Sequence, residues 1–377
     1  MISPWKSSII GGRTMKKSPF LNSRIIEEDM QNIYGRGMDW QRLYGKTVLI
    51  TGAAGMLASY VVFFLIYLNE YYGADIRMLL HVRSGEKARA RFDSYLEKSY
   101  TSLMYHDLCE SWRIEENIDF IIHTASLASP QYYGTIPVEV AAPNVLGTYY
   151  LLQLAQEKNI ESFLFFSSGD VYGKLQEGMG EIRESDFGAS DPMELHSCYG
   201  ESKRMGETWC KLFCAEYSVP AKVVRIAHTY APTMDIERDP RVFASFMRCV
   251  RDGTDILMYS DGSACRPFCY ITDAVAGFFL VLFAGTAGQA YNVSNDQAFL
   301  SIYELAQTLL KLRPELDCKV IAEKRSKDTA YLENRLNRAN LPSADKLRTL
   351  GWQCHYGVEE GFSRVWHYLQ ELPVQTG

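Results

Sequence analysis

The chain has no surplus of basic residues: across 377 positions, 39 Lys and Arg face 45 Asp and Glu, for a net charge of -6. Nucleic acid and anionic membranes are held by a basic face, so neither is expected as a partner. A disulfide framework is missing too. The nine cysteines (Cys109, Cys198, Cys210, Cys214, Cys249, Cys265, Cys269, Cys318 and Cys354) are odd in number and scattered. Cys210/Cys214 and Cys265/Cys269 are spaced by four, but no Cys/His partner cluster accompanies them, so they read as thiols in a reducing, cytoplasmic setting and no metal is expected. Long apolar runs are absent as well: Leu57 to Leu68 is interrupted by Ser59, is too short to span a bilayer and reads as a buried helix. No apolar stretch follows Lys6, Arg13, Lys16 and Lys17, so no signal peptide is expected.

What is present is 47% apolar content, enough to bury the core of one large α/β domain with a satellite, or of two domains. Residues 1–45 read as an N-terminal extension whose first twenty or so residues are expected to be disordered. Within it, Ile25 to Tyr34 has the pattern of a short amphipathic helix that packs on the body or on a partner subunit. Thr47 to Ile50 is short, β-branched and apolar, as a buried parallel strand should be. It runs into Thr51-Gly52-Ala53-Ala54-Gly55-Met56-Leu57-Ala58 and then an apolar helix to about Asn69. Strand, glycine turn and helix together set backbone N–H groups and a helix N-terminus against a pyrophosphate. Gly52, Gly55, Met56 and Leu57 are therefore candidate cofactor-binding residues.

The second strand, Ile76 to Val82, ends at Arg83-Ser84-Gly85 without the acid that usually meets the ribose hydroxyls of NAD. Arg83 is either a solvated loop charge or a group for the extra phosphate of NADP. NAD is the expected cofactor, with NADP left open. A third strand is expected to end at Tyr105 to Leu108, placing Asp107 where it can accept from the adenine amine, with Leu108 beside it. The fourth, Ile118 to His123, leads into the small residues Thr124 to Pro130, where Ala125 allows close approach of a cofactor. A helix over 143–158 and a fifth strand over 162–166 complete an alternation that specifies an α/β fold with a doubly wound parallel sheet, a Rossmann arrangement. Ligands in such sheets sit beyond the carboxyl ends of the strands, which brings Ser168 and Asp170 toward the crevice of the glycine turn.

Further on, Tyr199 and Lys203 lie four apart at the start of a helix and so share a face. A cation beside a phenol favours the phenolate, which makes the pair a candidate general base for a substrate alcohol.

Thr51-Gly52-x-x-Gly55-x-x-Ala58, Ser168 followed by Val171-Tyr172-Gly173, and Tyr199-x-x-x-Lys203 resemble, in order and spacing, the extended short-chain dehydrogenase/reductases that remodel nucleotide sugars. The resemblance runs from about Gly45 to Leu369. Within that family the UDP-glucuronate decarboxylases are the most similar subgroup, through His123 to Pro130 with Tyr132 or Tyr133 soon after, Ser168 to Gly173, Cys198 to Arg204, Pro232 through Val242, Arg266 to Tyr270 and Leu350-Gly351-Trp352. Asp170 stands where the decarboxylases usually carry Glu, Ala231 where they carry Gly, and His228 where they carry Asn near the substrate diphosphate.

The resemblance implies an NAD-dependent enzyme that works through a transient 4-keto sugar. Its first expectation is decarboxylation of UDP-glucuronate to UDP-xylose, with 4,6-dehydration, 4-epimerisation or a non-catalytic nucleotide-binding role as alternatives. It implies that Tyr199, held as phenolate by Lys203, deprotonates the sugar 4-hydroxyl, that Ser168 orients the same oxygen, and that Asp170 helps to protonate the enolate. Ser129, His228, Arg241 and Arg266 would meet the substrate, Arg266 as a phosphate clamp or as Asp170's companion. Residues 46–225 would form the dinucleotide-binding domain. Residues 226–377 would form mainly a smaller substrate-binding domain, with a strand near 290–293 returning to the main sheet. The apolar stripes of the helices at 143–158 and 199–217 would serve a homodimer or the subunit's own core.

Overall fold

The computed structural model describes residues 23–175, 180–322 and 341–372. The first 22 residues, where disorder was expected, lie outside this set. Helix α1 (Arg24–Tyr34) opens the described chain, its N-terminus capped by Ser23 Oγ accepting from Ile26 N. Strand β1 (Thr47–Thr51) follows, and then α2 (Met56–Tyr72), buried from Ala58 to Leu68 and ended by Gly73 at a φ of +60°. Next come β2 (Arg77–His81), α3 (Gly85–Phe92), β3 (Thr101–Met104), β4 (Phe120–His123), α4 (Pro137–Ala142), α5 (Thr148–Lys158), β5 (Ser162–Ser168), α6 (Cys198–Tyr217) and β6 (Ala221–Ile226). The remainder contributes β7 (His228–Tyr230), α7 (Val242–Asp252), β8 (Ile256–Met258), β9 (Cys265–Tyr270), α8 (Ile271–Ala284) and β10 (Ala290–Val293). It ends with β11 (Phe299–Ser301), α9 (Ile302–Leu310), β12 (Val320–Ala322), α10 (Asp345–Arg348) and α11 (Val358–Glu371).

Seven strands form one parallel sheet in the order β10-β6-β5-β4-β1-β2-β3. Alternate residues feed opposite cores, as the two-residue period of a strand requires. Val48 and Ile50 of β1 face the layer of α2 and α8, while Leu49 faces the layer with Leu151 of α5 and Phe213 of α6. Both faces are covered, which is why the strands read as continuous apolar runs. The order reverses between β1 and β4, and that reversal opens a crevice at their carboxyl ends. Small sheets of β11-β9-β7 and β12-β8 are built from the second half, while β10 leaves that half to pair with β6. Among the described residues, no helix is long and apolar enough to cross a membrane.

Two local expectations change. The third strand ends at Met104, because Asp107 starts a turn in which its Oδ1 accepts from Cys109 N at 2.9 Å. The helix expected over 143–158 begins earlier, at Pro137, and passes through a π-helical turn at Pro143–Gly147 before α5. Pro143 has no N–H for an α-helical bond, and Asn144 Nδ2 caps Val140 O at 3.0 Å, so the helix widens there.

The segment ahead of β1 is fastened to the body by two buried ion pairs. Asp29, fully buried on α1, meets Arg364 of α11 at 2.8 Å and accepts from the hydroxyls of Tyr60 and Tyr270 at 3.1 and 2.8 Å. Burial pushes its carboxyl up to about 6, against the pull of Arg364 and of the tyrosine hydroxyls. Arg36 meets Asp273 at 2.5 Å, and that carboxylate also accepts from the backbone N–H groups of His355 and Tyr356. Stranding one member of such a pair costs about 3–5 kcal/mol. Arg364→Met should therefore lower the unfolding free energy in urea by about 3 kcal/mol, and adding Asp29→Asn to that variant should restore part of the loss.

Candidate active site

The crevice is built from β1 outward. Gly52 follows β1 at a φ of +65°, and a Cβ there would come within 2.8 Å of Ala125 Cα and 3.1 Å of Thr124 Oγ1. Only glycine permits that approach. The turn and the loop after β4 are stitched through Thr51. Its Oγ1 accepts from Thr124 N and Ala125 N at 3.2 and 3.3 Å and bonds His123 Nδ1 at 2.7 Å, while Thr124 Oγ1 donates to Thr51 O at 2.6 Å. Burial, with Lys203 nearby, drives His123 down to about 3, so it stays neutral in this network. Gly55 caps α2 without a side-chain bond, and the half-buried Met56 and Leu57 form the first turn, leaving its N–H groups without a side-chain acceptor. Further along the loop, the buried Ser126 Oγ and Ser129 Oγ have no hydrogen-bond partner among the described residues.

Helix α6 enters from the other side. Gly206 lets it lie against β5, since a Cβ there would fall 2.5 Å from the Phe165 ring. One turn earlier, Lys203 Nζ donates to Phe166 O at 2.6 Å and lies 5.8 Å from the Tyr199 ring centroid. Tyr199 is 6% exposed, its hydroxyl hydrogen-bonds Ser168 at the end of β5, and its ring stacks on Tyr133 at 5.1 Å and 14°. Ser168 Oγ also accepts from Asp170 N at 3.2 Å. Asn144 Nδ2 donates to Ser202 Oγ, and Ser202 Oγ to Tyr199 O, which ties the first turn of α6 to the π-helical turn.

The electrostatics reverse one expectation. Burial, with Asp170 close by, pushes the Tyr199 phenol up, and the pull of Ser168 and Arg241 is smaller. Burial likewise drives Lys203 down to about 7, opposed by Glu207. Lys203 is aimed at the Phe166 carbonyl rather than at the phenol oxygen, and charge on either group is costly in this dry setting. The chain's own residues therefore keep Tyr199 a phenol.

Asp170, His228, Arg241 and Arg266 come from four separated segments to one electrostatic neighbourhood. Asp170 is exposed at the surface of this neighbourhood. Burial raises its carboxyl and Arg266 opposes this. Burial and the two guanidinium groups drive the half-buried His228 down to about 3, so it is neutral. Arg241 is partly committed, with Asp239 at 2.5 Å, and Arg266 Nη1 donates to Cys265 O at 2.8 Å. On the far side of the glycine turn, Arg83 and Asp107 are exposed, whereas Leu108 is buried against Gly147. The partner of Tyr199 is Tyr133, which sequence reasoning left undecided against Tyr132, and Ser126 was not singled out. Ring stacking between residues 66 apart has no local signature; for Ser126 the only signal was its place among small residues after a strand.

Residues 48–294 match the NAD dependent epimerase/dehydratase family. The chain belongs to that family. The match spans the sheet, the glycine turn, Ser168, Tyr199 and Lys203. UDP-glucuronic acid decarboxylase 6 of Arabidopsis thaliana is 28% identical over 347 residues, covering 91% of this chain and 90% of the relative. A dTDP-D-glucose 4,6-dehydratase of Bos taurus is 25% identical over 335 residues, covering 87% and 90%. The fold is shared with a UDP-glucuronic acid 4-epimerase from Bacillus cereus, solved in complex with UDP-glucuronic acid and NAD, at a TM-score of 0.69 and 18% identity over 86% of this chain and 99% of that one.

This member of the NAD dependent epimerase/dehydratase family has a turn that suits its cofactor: Gly52 clears the backbone, and the α2 N-terminus offers N–H groups to a pyrophosphate. The buried Lys203 also predicts a pH signature. Its folded value lies below the unfolded ~10.4, so its charge is penalised below pH 7, and the penalty fades as pH climbs from 7 to about 10.5. Lys203→Met should therefore gain stability relative to the parent at pH 6 and surrender at least about 2 kcal/mol of that gain by pH 10, read by urea unfolding at both pH values.

Proposed function

We propose that this enzyme decarboxylates a nucleotide-linked uronic acid, UDP-glucuronate to UDP-xylose, through a 4-keto intermediate. The observation that carries this reading is the meeting of Asp170 and Arg266 beside Tyr199 and Ser168. An acid whose burial favours its protonated form, with a guanidinium next to it, suits a substrate that arrives as a carboxylate and passes through an enolate. The decarboxylase relatives support the same choice.

When bound, the nicotinamide dinucleotide supplies a hydride acceptor that is also the later donor, and a positive ring charge. Gly52, Gly55, Met56, Leu57 and Ala125 would hold it, with Asp107 and Leu108 toward the adenine. Burial holds the Tyr199 phenol above its ordinary range, with Ser168 and Arg241 pulling the other way, so Tyr199 would act as base only with a positive charge bound beside it. Tyr199 then takes the proton of the sugar 4-hydroxyl, and Ser168 holds the same oxygen by a hydrogen bond. Oxidation at C4 makes the substrate a β-keto acid, whose carboxylate leaves as carbon dioxide as its bonding electrons move toward the new carbonyl. The enolate oxygen is met by Tyr199 and Ser168, and Asp170, whose carboxyl is shifted toward its acid form, is the group placed to pass a proton to C5. Lys203, hydrogen-bonded to Phe166 O, fixes the floor of the site. His228, Arg241, Arg266 and Ser129 would receive the diphosphate and sugar.

Residues 46–225 act in this reading as the cofactor half and 226–377 mainly as the substrate half. The exposed Val138 on α4, Leu146 on the π-helical turn after it and Leu212 on α6 would be covered in a homodimer. Incubation with UDP-glucuronate and mass spectrometry of the product should show loss of carbon dioxide; loss of water or unchanged mass rejects the reading. Tyr199→Phe should slow that turnover by about 10²–10⁴-fold.

A further inference from the structure

Three successive turns of α6 grip the carboxyl end of β5. The Tyr199 hydroxyl meets Ser168, Lys203 Nζ donates to Phe166 O at 2.6 Å, and Glu207 Oε1 accepts from Ser167 Oγ at 2.6 Å. Residues four apart lie on one helix face, so the three side chains meet the strand together. Tyr199 and Lys203 carry the proposed chemistry, and Glu207 stands one turn behind them. Its side chain is only 13% exposed.

A carboxylate at that depth needs a cation. Arg225 of β6 provides one, its Nε and Nη2 reaching the two Glu207 oxygens at 3.0 and 2.7 Å as a bidentate pair. Arg225 is also the neighbour of Ser167 in the sheet register, so the ion pair and the serine it holds lie side by side. The guanidinium lies 4.8 Å from the Tyr172 ring and donates through Nη1 to Glu184 O at 3.0 Å. The Glu207 carboxylate is thereby held by β5 and β6 at once.

The ionisable groups facing Lys203 are Tyr199, Glu207 and Cys210 on its own helix and His123 from β4, with Arg225 of β6 behind Glu207. Of these only Glu207 is a carboxylate, and it is the largest force opposing burial at Lys203. With Lys203 brought down to about 7, that neighbour decides whether ammonium or amine stands beside Tyr199 at neutral pH. The ammonium favours the phenolate that the proposed reaction uses.

We infer that Glu207, locked by Arg225, is a positioning residue: it holds the Ser168 end of β5 through Ser167 and supplies the counter-charge for the Lys203 ammonium beside Tyr199. Its catalytic consequence rests on the proposed decarboxylation, whereas the coupling of Glu207 to Lys203 does not.

Two measurements on the purified full chain test it. The first is the gain in stability from Lys203→Met, read by urea unfolding at pH 5 and pH 10 in the parent and in Glu207→Gln. Without the carboxylate the folded value of Lys203 falls further, so at pH 5 the gain should be larger in Glu207→Gln by at least about tenfold in the folding equilibrium constant. At pH 10 the two gains should match, because folded Lys203 is uncharged in both. Glu207→Gln/Arg225→Met, which strands neither charge, replaces the single variant if that does not fold.

The second is the pH dependence of kcat for release of carbon dioxide from UDP-glucuronate. Glu207→Gln should move the alkaline limb down by at least about one pH unit, and Glu207→Asp should restore part of it. Arg225→Met breaks the same clamp but leaves the carboxylate, so it should not move that limb downward; a purely structural role would give both variants the same profile. Equal Lys203→Met gains at pH 5, or an alkaline limb that Glu207→Gln leaves in place, overturns the inference. If UDP-glucuronate loses no carbon dioxide while the gains differ, the proposed function falls and the coupling of Glu207 to Lys203 stands.

Discussion

The contact between α6 and β5 is the constraint on which the rest depends. Gly206 removes the side chain that would strike Phe165, and Lys203 reaches through the resulting gap to the Phe166 carbonyl. With that distance set, Tyr199 has one place to go: its hydroxyl meets Ser168, and its ring lies flat on Tyr133. The π-helical turn serves the same contact, since Asn144 reaches Ser202 from there. A larger residue at position 206 would displace the phenol without touching it.

Burial dominates the chemistry of this crevice. It raises Tyr199 and Asp170 and lowers Lys203, His123 and His228, in every case toward the uncharged form. The site is thus a set of groups disinclined to ionise, in which an arriving charge on cofactor or substrate has a large effect because little solvent screens it. This is why the isolated Tyr/Lys pair misleads: in water the cation would settle the phenol, whereas here desolvation outweighs it.

Much of the architecture is legible from the chain. Thr47 to Leu68 spells strand, glycine turn and buried helix, and the structure has β1, the turn at Gly52 and α2 there. The alternation of apolar runs gives a doubly wound sheet because both its faces are covered. The end of β3 is not legible, since Asp107 turns the chain through a side-chain bond that no periodicity reports. Nor is the widened helix at Pro143, where a missing N–H is accommodated rather than ending the element. The gathering of His228, Arg241 and Arg266 around Asp170 depends on β7 and β9 pairing, a tertiary event. The directions of the ionisation shifts depend on depth, which spacing does not encode.

The buried pair of Asp29 and Arg364 joins residues 335 positions apart. A ribosome adding about 5–20 residues each second has α1 outside the exit tunnel long before α11 exists. Until then, seating α1 on α8 would bury the Asp29 carboxyl without its guanidinium, at a cost of about 3–5 kcal/mol, so that docking is disfavoured during synthesis. Helix α1, made ahead of the whole sheet, thus gains its buried ionic partner only once α11 has been made.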